Sequence, residues 1–438
     1  MNEPFDFDHF LAIPRLSGLR LSPDGRRLVV TVGGPSPDGK KMASCLWELD
    51  PAGIAPPRRL TRSAAGESEA VFLPGGDLLF TSARPDPTAK QEGQEDPSAG
   101  LWLLPAGGGE PRLLLAPDSG VDAISVARQA GTVAFGASLA PGRGDLEADA
   151  AWTKTRRDQG MSAMLFETLP IRFWDHYLGP RDRHLFVVAP PQGPEAPIGP
   201  PRDAIAEPAG GLVEACFDLT PDGGTLVSGW RVLDPPAAMR SELVAVDLAS
   251  GARRPLAGGP DRWYDILACS PDGRQVAALV EEMGSPDVAS VAHLTLIDLA
   301  SGAERRLAPD LDRWPNAPVW SADGSAIFFT ADEDGRTLPW RLDLADDRVT
   351  RLAVDGTYSS LCPSPDGTAL YALRQEVDRP PQVVRLDARA ADQEAHELSF
   401  PGLTADDLPR RGRLERLTAQ AADGTPVRSW LVLPEGAS

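Results

Sequence analysis

Short apolar runs alternate with clusters of Pro, Asp, Gly and Ser along the whole chain, and the runs follow a period of two rather than the helical three-to-four spacing. Ser22-Pro23-Asp24-Gly25 precedes an apolar run at 28–32. Thr220-Pro221-Asp222-Gly223, Ser270-Pro271-Asp272-Gly273, Ser321-Ala322-Asp323-Gly324 and Ser364-Pro365-Asp366-Gly367 each precede another. Weaker copies stand at Leu73-Pro74-Gly75-Gly76-Asp77 and Gln129-Ala130-Gly131. Proline presets φ, aspartate bonds its own backbone, and glycine takes positive φ, so each copy predicts a tight turn between two strands. Ser36-Pro37-Asp38-Gly39 follows the first copy too soon to open a unit and reads as a later turn inside unit one.

Gly25, Gly75, Gly131, Gly223, Gly273, Gly324 and Gly367 stand 43 to 56 residues apart, except for one gap of 92. An all-strand repeat of about 40–50 residues is the mark of propeller blades. Each unit offers an inner strand, the turn, a returning strand, a third strand such as Leu294-Thr295-Leu296-Ile297-Asp298, and a short outer strand such as Arg306-Leu307. The expected fold is all-β: a seven-bladed β-propeller of four-stranded antiparallel blades over residues 1–410, with the turn glycines on one face of the disc. The long gap holds an insertion. Residues 137–165 and 189–210, rich in Pro, Gly, Ala and charge, read as loops on a binding face, and the run from Met164 to Val188 reads as the source of the third strand of that blade. Residues 411–438 break the series with a hairpin, LERLT then DGTPVRSWLVLP, which reads as the opening of a further domain.

Charge narrows the partners. The formal net charge of -20 argues against nucleic acid and against an anionic membrane. The N-terminus has neither a basic nor an apolar region of a signal peptide, and no long apolar stretch predicts a membrane span. Cys45, Cys216, Cys269 and Cys362 are far apart, and three lie in apolar runs. They read as free thiols in a reducing cytoplasm, with no metal spacing and no cofactor motif. The turn aspartates lack the further ligands of a calcium loop. Sialidase-type propellers are set aside because their Asp and Gly are separated by one residue, whereas here the pair is adjacent.

The SPDG-type blades, the segment Ile171-Arg172-Phe173-Trp174-Asp175-His176 followed by His184-Leu185-Phe186-Val187, and the passage at 414–434 together resemble the prolyl oligopeptidase family of serine peptidases, in its acylaminoacyl-peptidase and dipeptidyl-aminopeptidase-like branch. The resemblance covers essentially the whole chain. It implies an α/β-hydrolase domain after the propeller, carrying the nucleophile elbow, the acid and the histidine. No G-x-S-x-G occurs here, so no catalytic residue is assigned and this chain alone is expected to be inactive. The implied role is substrate gating and positioning in an enzyme that cleaves short peptides or N-terminal, including acylated, residues. The missing α/β-hydrolase domain and the peptide substrate are the implied partners. The SPDG repeats also suit a stand-alone TolB-like propeller acting as an interaction module.

Within the insertion, Arg156 and Arg157 are candidates to clamp a peptide carboxylate, and Glu147 and Asp149 to hold a substrate amine. A solvated loop is the plainer reading for all four. Arg172, Trp174, Asp175, His176 and His184 read as a structural motif, with Trp174 burying a large area and His184 a satisfied structural histidine. The terminal hairpin, with Trp430 to Leu433 apolar, is expected to be disordered or to pair with a second copy of the chain, giving a homo-oligomer.

Overall fold

The computed structural model describes residues 7–85, 98–166, 171–177, 179–193, 195–234, 238–404, 408 and 412–434. Seven four-stranded antiparallel sheets follow one another along the chain. Blade one runs from Arg15–Leu21 to Arg58–Arg59, and blade seven from Thr357–Pro363 to His396–Glu397. Six of the sheets use strands consecutive in sequence, and among the described residues no sheet joins the two ends of the chain. In blade three the insertion separates the second strand, Val133–Leu139, from the third, Asp182–Val188, which are nevertheless paired residue for residue. The seven-bladed propeller expected from the repeat is the fold.

The strand patterns follow from the stacking. Second strands are covered on both faces by neighbouring blades, and they read as nearly unbroken apolar runs, as at Leu28–Val32 and Ala326–Ala331. Outer strands such as Arg58–Arg59, Glu304–Arg306 and His396–Glu397 are exposed and polar, which blunts the free sheet edge. Apolar clusters lie between blades. One joins Leu16, Leu19 and Val30 of blade one to Cys362, Tyr371 and Leu373 of blade seven.

The repeated turn has one geometry. Gly25 N–H donates to Ser22 O at 2.9 Å with Gly25 at φ +72°. Ser22 Oγ donates to Asp24 Oδ1 at 2.6 Å and accepts from Arg27 N at 3.0 Å. The same pair recurs as Thr220–Asp222, Ser270–Asp272, Ser321–Asp323 and Ser364–Asp366, and inside blade one as Ser36–Asp38. In blade two the left-handed position is Gly76 rather than Gly75.

Neighbouring turns interlock. A Cβ at Gly25 would stand 3.0 Å from Pro365 Cδ, one at Gly273 3.3 Å from Pro221 Cδ, and one at Gly131 3.4 Å from Pro74 Cδ. Elsewhere between blades an arginine of one reaches the next. Arg27 Nη1 donates to Gly76 O at 2.9 Å, Arg305 pairs with Asp347 at 2.8 Å, and Arg351 with Asp392 at 2.7 Å. Arg202 and Arg254 donate to Leu248 O and Leu299 O. The seam between blades seven and one uses other contacts: Tyr371 Oη donates to Pro51 O at 3.3 Å, and Cys362 Sγ to Leu19 O at 3.3 Å.

The terminal hairpin, Arg413–Gln420 with Pro426–Leu433, forms within the chain. It leans on the turn of blade six, where Asp334 pairs with Arg416 at 2.9 Å and with Arg428, and Arg336 lies 4.7 Å from the Trp430 ring centre. The hairpin expected to be disordered is instead paired and docked within the chain, because the Asp334 carboxylate collects both hairpin arginines.

The turn hydroxyls hold the aspartates below the ordinary carboxylate range, Asp323 to about 2 through Ser321 Oγ and the Ser325 N–H. A carboxylate whose value falls on folding stabilises the fold above its unfolded value of about 4, and the stabilisation is lost as pH drops through the folded value. Ser321→Ala should therefore destabilise the chain by about 1 kcal/mol at neutral pH. The difference from the parent should shrink as pH falls from 4 towards 2. Urea midpoints of both proteins across that range check this.

Candidate functional site

The inner strands surround the central channel, and six of the seven carry the same irregularity. Pairing with the second strand slips at Ser17/Arg20, Ser68/Val71, Asp265/Leu267, Asn316/Val319 and Ser359/Cys362, and in blade three opposite Phe135/Gly136. Each slip contains a residue at positive φ: Gly18, Glu69, Ala123, Ile266, Ala317 and Ser360. Five of these are not glycine, and each such conformation costs about 1–2 kcal/mol. The residue before each is short and polar: Ser17, Ser68, Asp122, Asp265, Asn316 or Ser359. Asp265 Oδ1 accepts from Ile266 N at 2.8 Å and Asn316 Oδ1 from Ala317 N at 2.7 Å, which offsets part of the cost. These bulges re-aim the strands along the channel. All six polar residues lie five positions before the first residue of the turn, which in blade three is Ala127, its carbonyl accepting from the Gly131 N–H at 2.8 Å; the sequence carried this spacing and the repeat reading passed over it.

Blade four departs from the pattern. Its inner strand, Phe217–Leu219, is short and pairs without a slip. Asp218 instead ties three blades, accepting from Ser125 Oγ at 2.8 Å, Leu219 N at 2.9 Å and Cys269 N at 2.8 Å. Burial and the nearby Asp265 carboxylate push the Cys216 thiol up to about 12, and burial with Asp218 pushes Cys269 up as well. Burial pushes Cys362 up to about 11.

At the end of the channel bearing the repeated turns, a cavity of about 650 Å3 opens. The second residues of all seven turns line it: five prolines, Ala322 and Arg128. Arg20, Val71, Phe72, Trp320 and Leu361 form more of its wall. Among the described residues no carboxylate lines it.

The opposite face carries the insertion, which is not the loop expected. Residues Leu146–Asp158 form a helix, started by Asp145 Oδ1 accepting from Ala148 N at 2.7 Å, with Glu147 and Asp149 in its first turn and Arg156 and Arg157 in its last. Charge of that polarity favours a helix. Asp149 is buried against Arg181 Nη1 at 2.5 Å and accepts from Ala140 N at 2.8 Å. Arg181 also donates to Thr153 Oγ1 at 2.6 Å and Ser138 O at 3.1 Å, so the pair clamps the helix to blade three. Asp149 is committed to Arg181 and the Ala140 N–H, while Glu147 on the same turn is exposed. The two amine candidates therefore do not converge. Arg156 lies 4.9 Å from the Trp152 ring centre and donates to Met161 O and Ala163 O, tying down the segment after the helix. Arg157 is exposed.

The segment Arg172–Phe173 pairs with His176–Tyr177 as a minimal ribbon. Trp174, expected to be buried, is 85% exposed at its tip with φ +50°. Two pairs of residues give the ring nothing to pack against, and Arg172 Nε spans the turn to Trp174 O at 2.8 Å. Asp175 is exposed in the same turn; the His176 side chain lies outside the described residues. His184 is buried, its Nδ1 2.7 Å from Asp203 Oδ2. Among the described residues no three metal-ligating side chains converge, and no helix is long and apolar enough to cross a membrane.

No protein-family model matches the chain. It is 22% identical over 244 residues to dipeptidyl-peptidase 5 of Porphyromonas gingivalis, a match spanning 54% of this chain and 34% of that protein. The chain thus spans about a third of that relative's length. Its fold is that of the acylaminoacyl peptidase of Pyrococcus horikoshii over 98% of this chain and 60% of that one, with a TM-score of 0.72 and 12% identity. It also matches the β-propeller domain of the Trilobed protease from Pyrococcus furiosus, described as having an open velcro topology, over 89% of this chain and 96% of that one, with a TM-score of 0.57 and 10% identity. The chain is similar to the propeller of prolyl oligopeptidase-family peptidases, as the repeats and the 171–187 segment implied.

Two expectations follow. Asp149→Ala should leave Arg181 and the Ala140 N–H without their partner, destabilise the chain by about 1–3 kcal/mol, and speed protease cleavage within 140–181; chemical denaturation and limited proteolysis read both. Cys216, Cys269 and Cys362, held as neutral thiols, should react with iodoacetamide at pH 8 at least about tenfold more slowly in the folded than in the unfolded chain, as peptide mass mapping would show.

Proposed function

We propose that this chain is the substrate-gating and substrate-positioning propeller of a cytoplasmic serine oligopeptidase that takes short peptides or the N-terminal residues of longer ones. One observation carries the reading. Exposed large apolar side chains gather on the face opposite the repeated turns. Met42, Met283, Trp314 and Val377 lie in connections on that face, beside Met161, Met164 and Trp174 of the insertion. The terminal hairpin docks on the same face through Asp334. Clustered apolar surface with a polar rim marks a docking site, and the occupant that fits is the catalytic α/β-hydrolase portion of the enzyme. A disc seated there leaves the channel as one way to the catalytic side, open to narrow, unfolded chains. The relative's name, a dipeptidyl-peptidase, supports a peptide substrate, and four free thiols suit a reducing compartment.

The purified chain should release no product from dipeptidyl or N-acyl-aminoacyl p-nitroanilides, because its sequence carries no G-x-S-x-G elbow to present an activated serine. The protein encoded by the reading frame continued past Ser438 should cleave them and be blocked by a serine-directed phosphonate. Turnover by the 438-residue chain itself would overturn the reading.

A further inference from the structure

The mouth of the channel on the turn face stands out by its charge. In a chain with 63 acidic and 43 basic residues, many arginines are taken up by carboxylates, as in Arg27–Glu48, Arg262–Glu304, Arg341–Asp343 and Arg374–Asp355. Arg20 and Arg128 are among those that are not, and they share one cavity. Arg20, from the inner strand of blade one, is exposed, and its Nη1 donates only to the carbonyl of Leu19, at 2.9 Å. Arg128 is exposed in the turn of blade three, at the position where other turns have proline. Both line the cavity of about 650 Å3, and among the described residues no Asp or Glu lines it with them.

The turn aspartates, which alone among the turn residues could neutralise these cations, are committed elsewhere. Asp24, Asp222, Asp272 and Asp366 accept from the Ser or Thr two residues earlier and from a backbone N–H two residues later. The cavity wall is apolar, built of proline rings with Phe72, Trp320 and Leu361. Two unpaired guanidinium groups in a concave apolar mouth concentrate positive potential there, against a background field that is negative. Guanidinium groups recognise carboxylates through charge-assisted hydrogen bonds.

We propose that this mouth binds the carboxylate end of a short apolar peptide, with Arg20 and Arg128 holding the C-terminal carboxylate and the proline-lined wall holding the last side chains. The site lies at the far end of the channel from the docking face and belongs to this chain alone. It therefore stands or falls separately from the peptidase reading, since it requires no catalytic partner and no hydrolysis.

Isothermal titration of the purified chain with N-acetyl-Ala-Leu-Phe as the free acid and as the C-terminal amide tests it. The acid should bind at least about fivefold more tightly than the amide, and raising salt from 20 to 500 mM (roughly a fivefold shorter screening length) should erase that preference. Arg20→Gln and Arg128→Gln should each weaken acid binding by about fivefold or more without altering amide binding or the thermal midpoint. Arg157→Gln, on the opposite face, should change nothing. Equal affinity for acid and amide, no binding of either, or an acid affinity indifferent to both mouth arginines would overturn the proposal. Should a mouth variant lose its fold, the salt dependence and the acid-to-amide ratio of the parent chain still decide.

Discussion

At four of the seven blade interfaces, the closing one included, the contact that seats blade on blade is a proline laid against a glycine. Where the proline of one blade's turn meets the turn glycine of the next, there is room for the ring and none for a Cβ at 3.0–3.4 Å, as between Pro365 and Gly25 or Pro221 and Gly273. The same glycine is held at positive φ by its own turn, so one residue type meets two demands at once. The Ser–Asp pair fixes the turn from within, leaving the proline free to face sideways. Local turn chemistry and blade stacking are thereby satisfied by one tetrapeptide, and agreement between levels of this kind is what lets a sequence specify a single fold.

That economy explains what could be read in advance. Blade number, strand order and the position of the insertion were legible because each blade repeats Ser-Pro-Asp-Gly or a near copy between two apolar runs. The helix at 146–158 was not, because its flanks are Pro- and Gly-rich and its apolar face is poor; the signal lay in Asp145 and in the charge order from Glu147 to Arg157. Trp174 misled because tryptophan is usually buried, and the ribbon that carries it is too short to cover it. Asp149 looked like a ligand for a charge and is one, but the charge is Arg181 of its own blade. The six bulges were written as a short polar residue five positions before each turn, a signal visible only once the strands are aligned on the turns.

The two faces of the disc are chemically unlike for a topological reason. Connections between first and second strands are short everywhere and carry the repeat, so those turns vary little beyond Arg128 and Ala322, the two positions where the proline is replaced. Connections between second and third strands bear no such constraint. They accommodate the insertion of blade three, the Asp334 turn that receives the terminal hairpin, and the exposed Met283 and Val377. The helical insertion and most of the exposed large apolar side chains lie on that side, where a large partner has room to dock.

The separateness of the blades has one further consequence. The ring closes through side chains of blades one and seven with no strand held in common, and its first and last segments meet: a Cβ at Gly402 would stand 3.0 Å from Pro14. The place where the chain enters the circle is therefore arbitrary as far as the sheets are concerned. A circular permutant that joins residue 404 to residue 13 by a short linker, and opens instead between blades three and four, would encode the same seven sheets and the same seven interfaces. Gene order and spatial order are independent in this fold, and a propeller of this kind is free to be cut, rejoined or extended at any blade boundary.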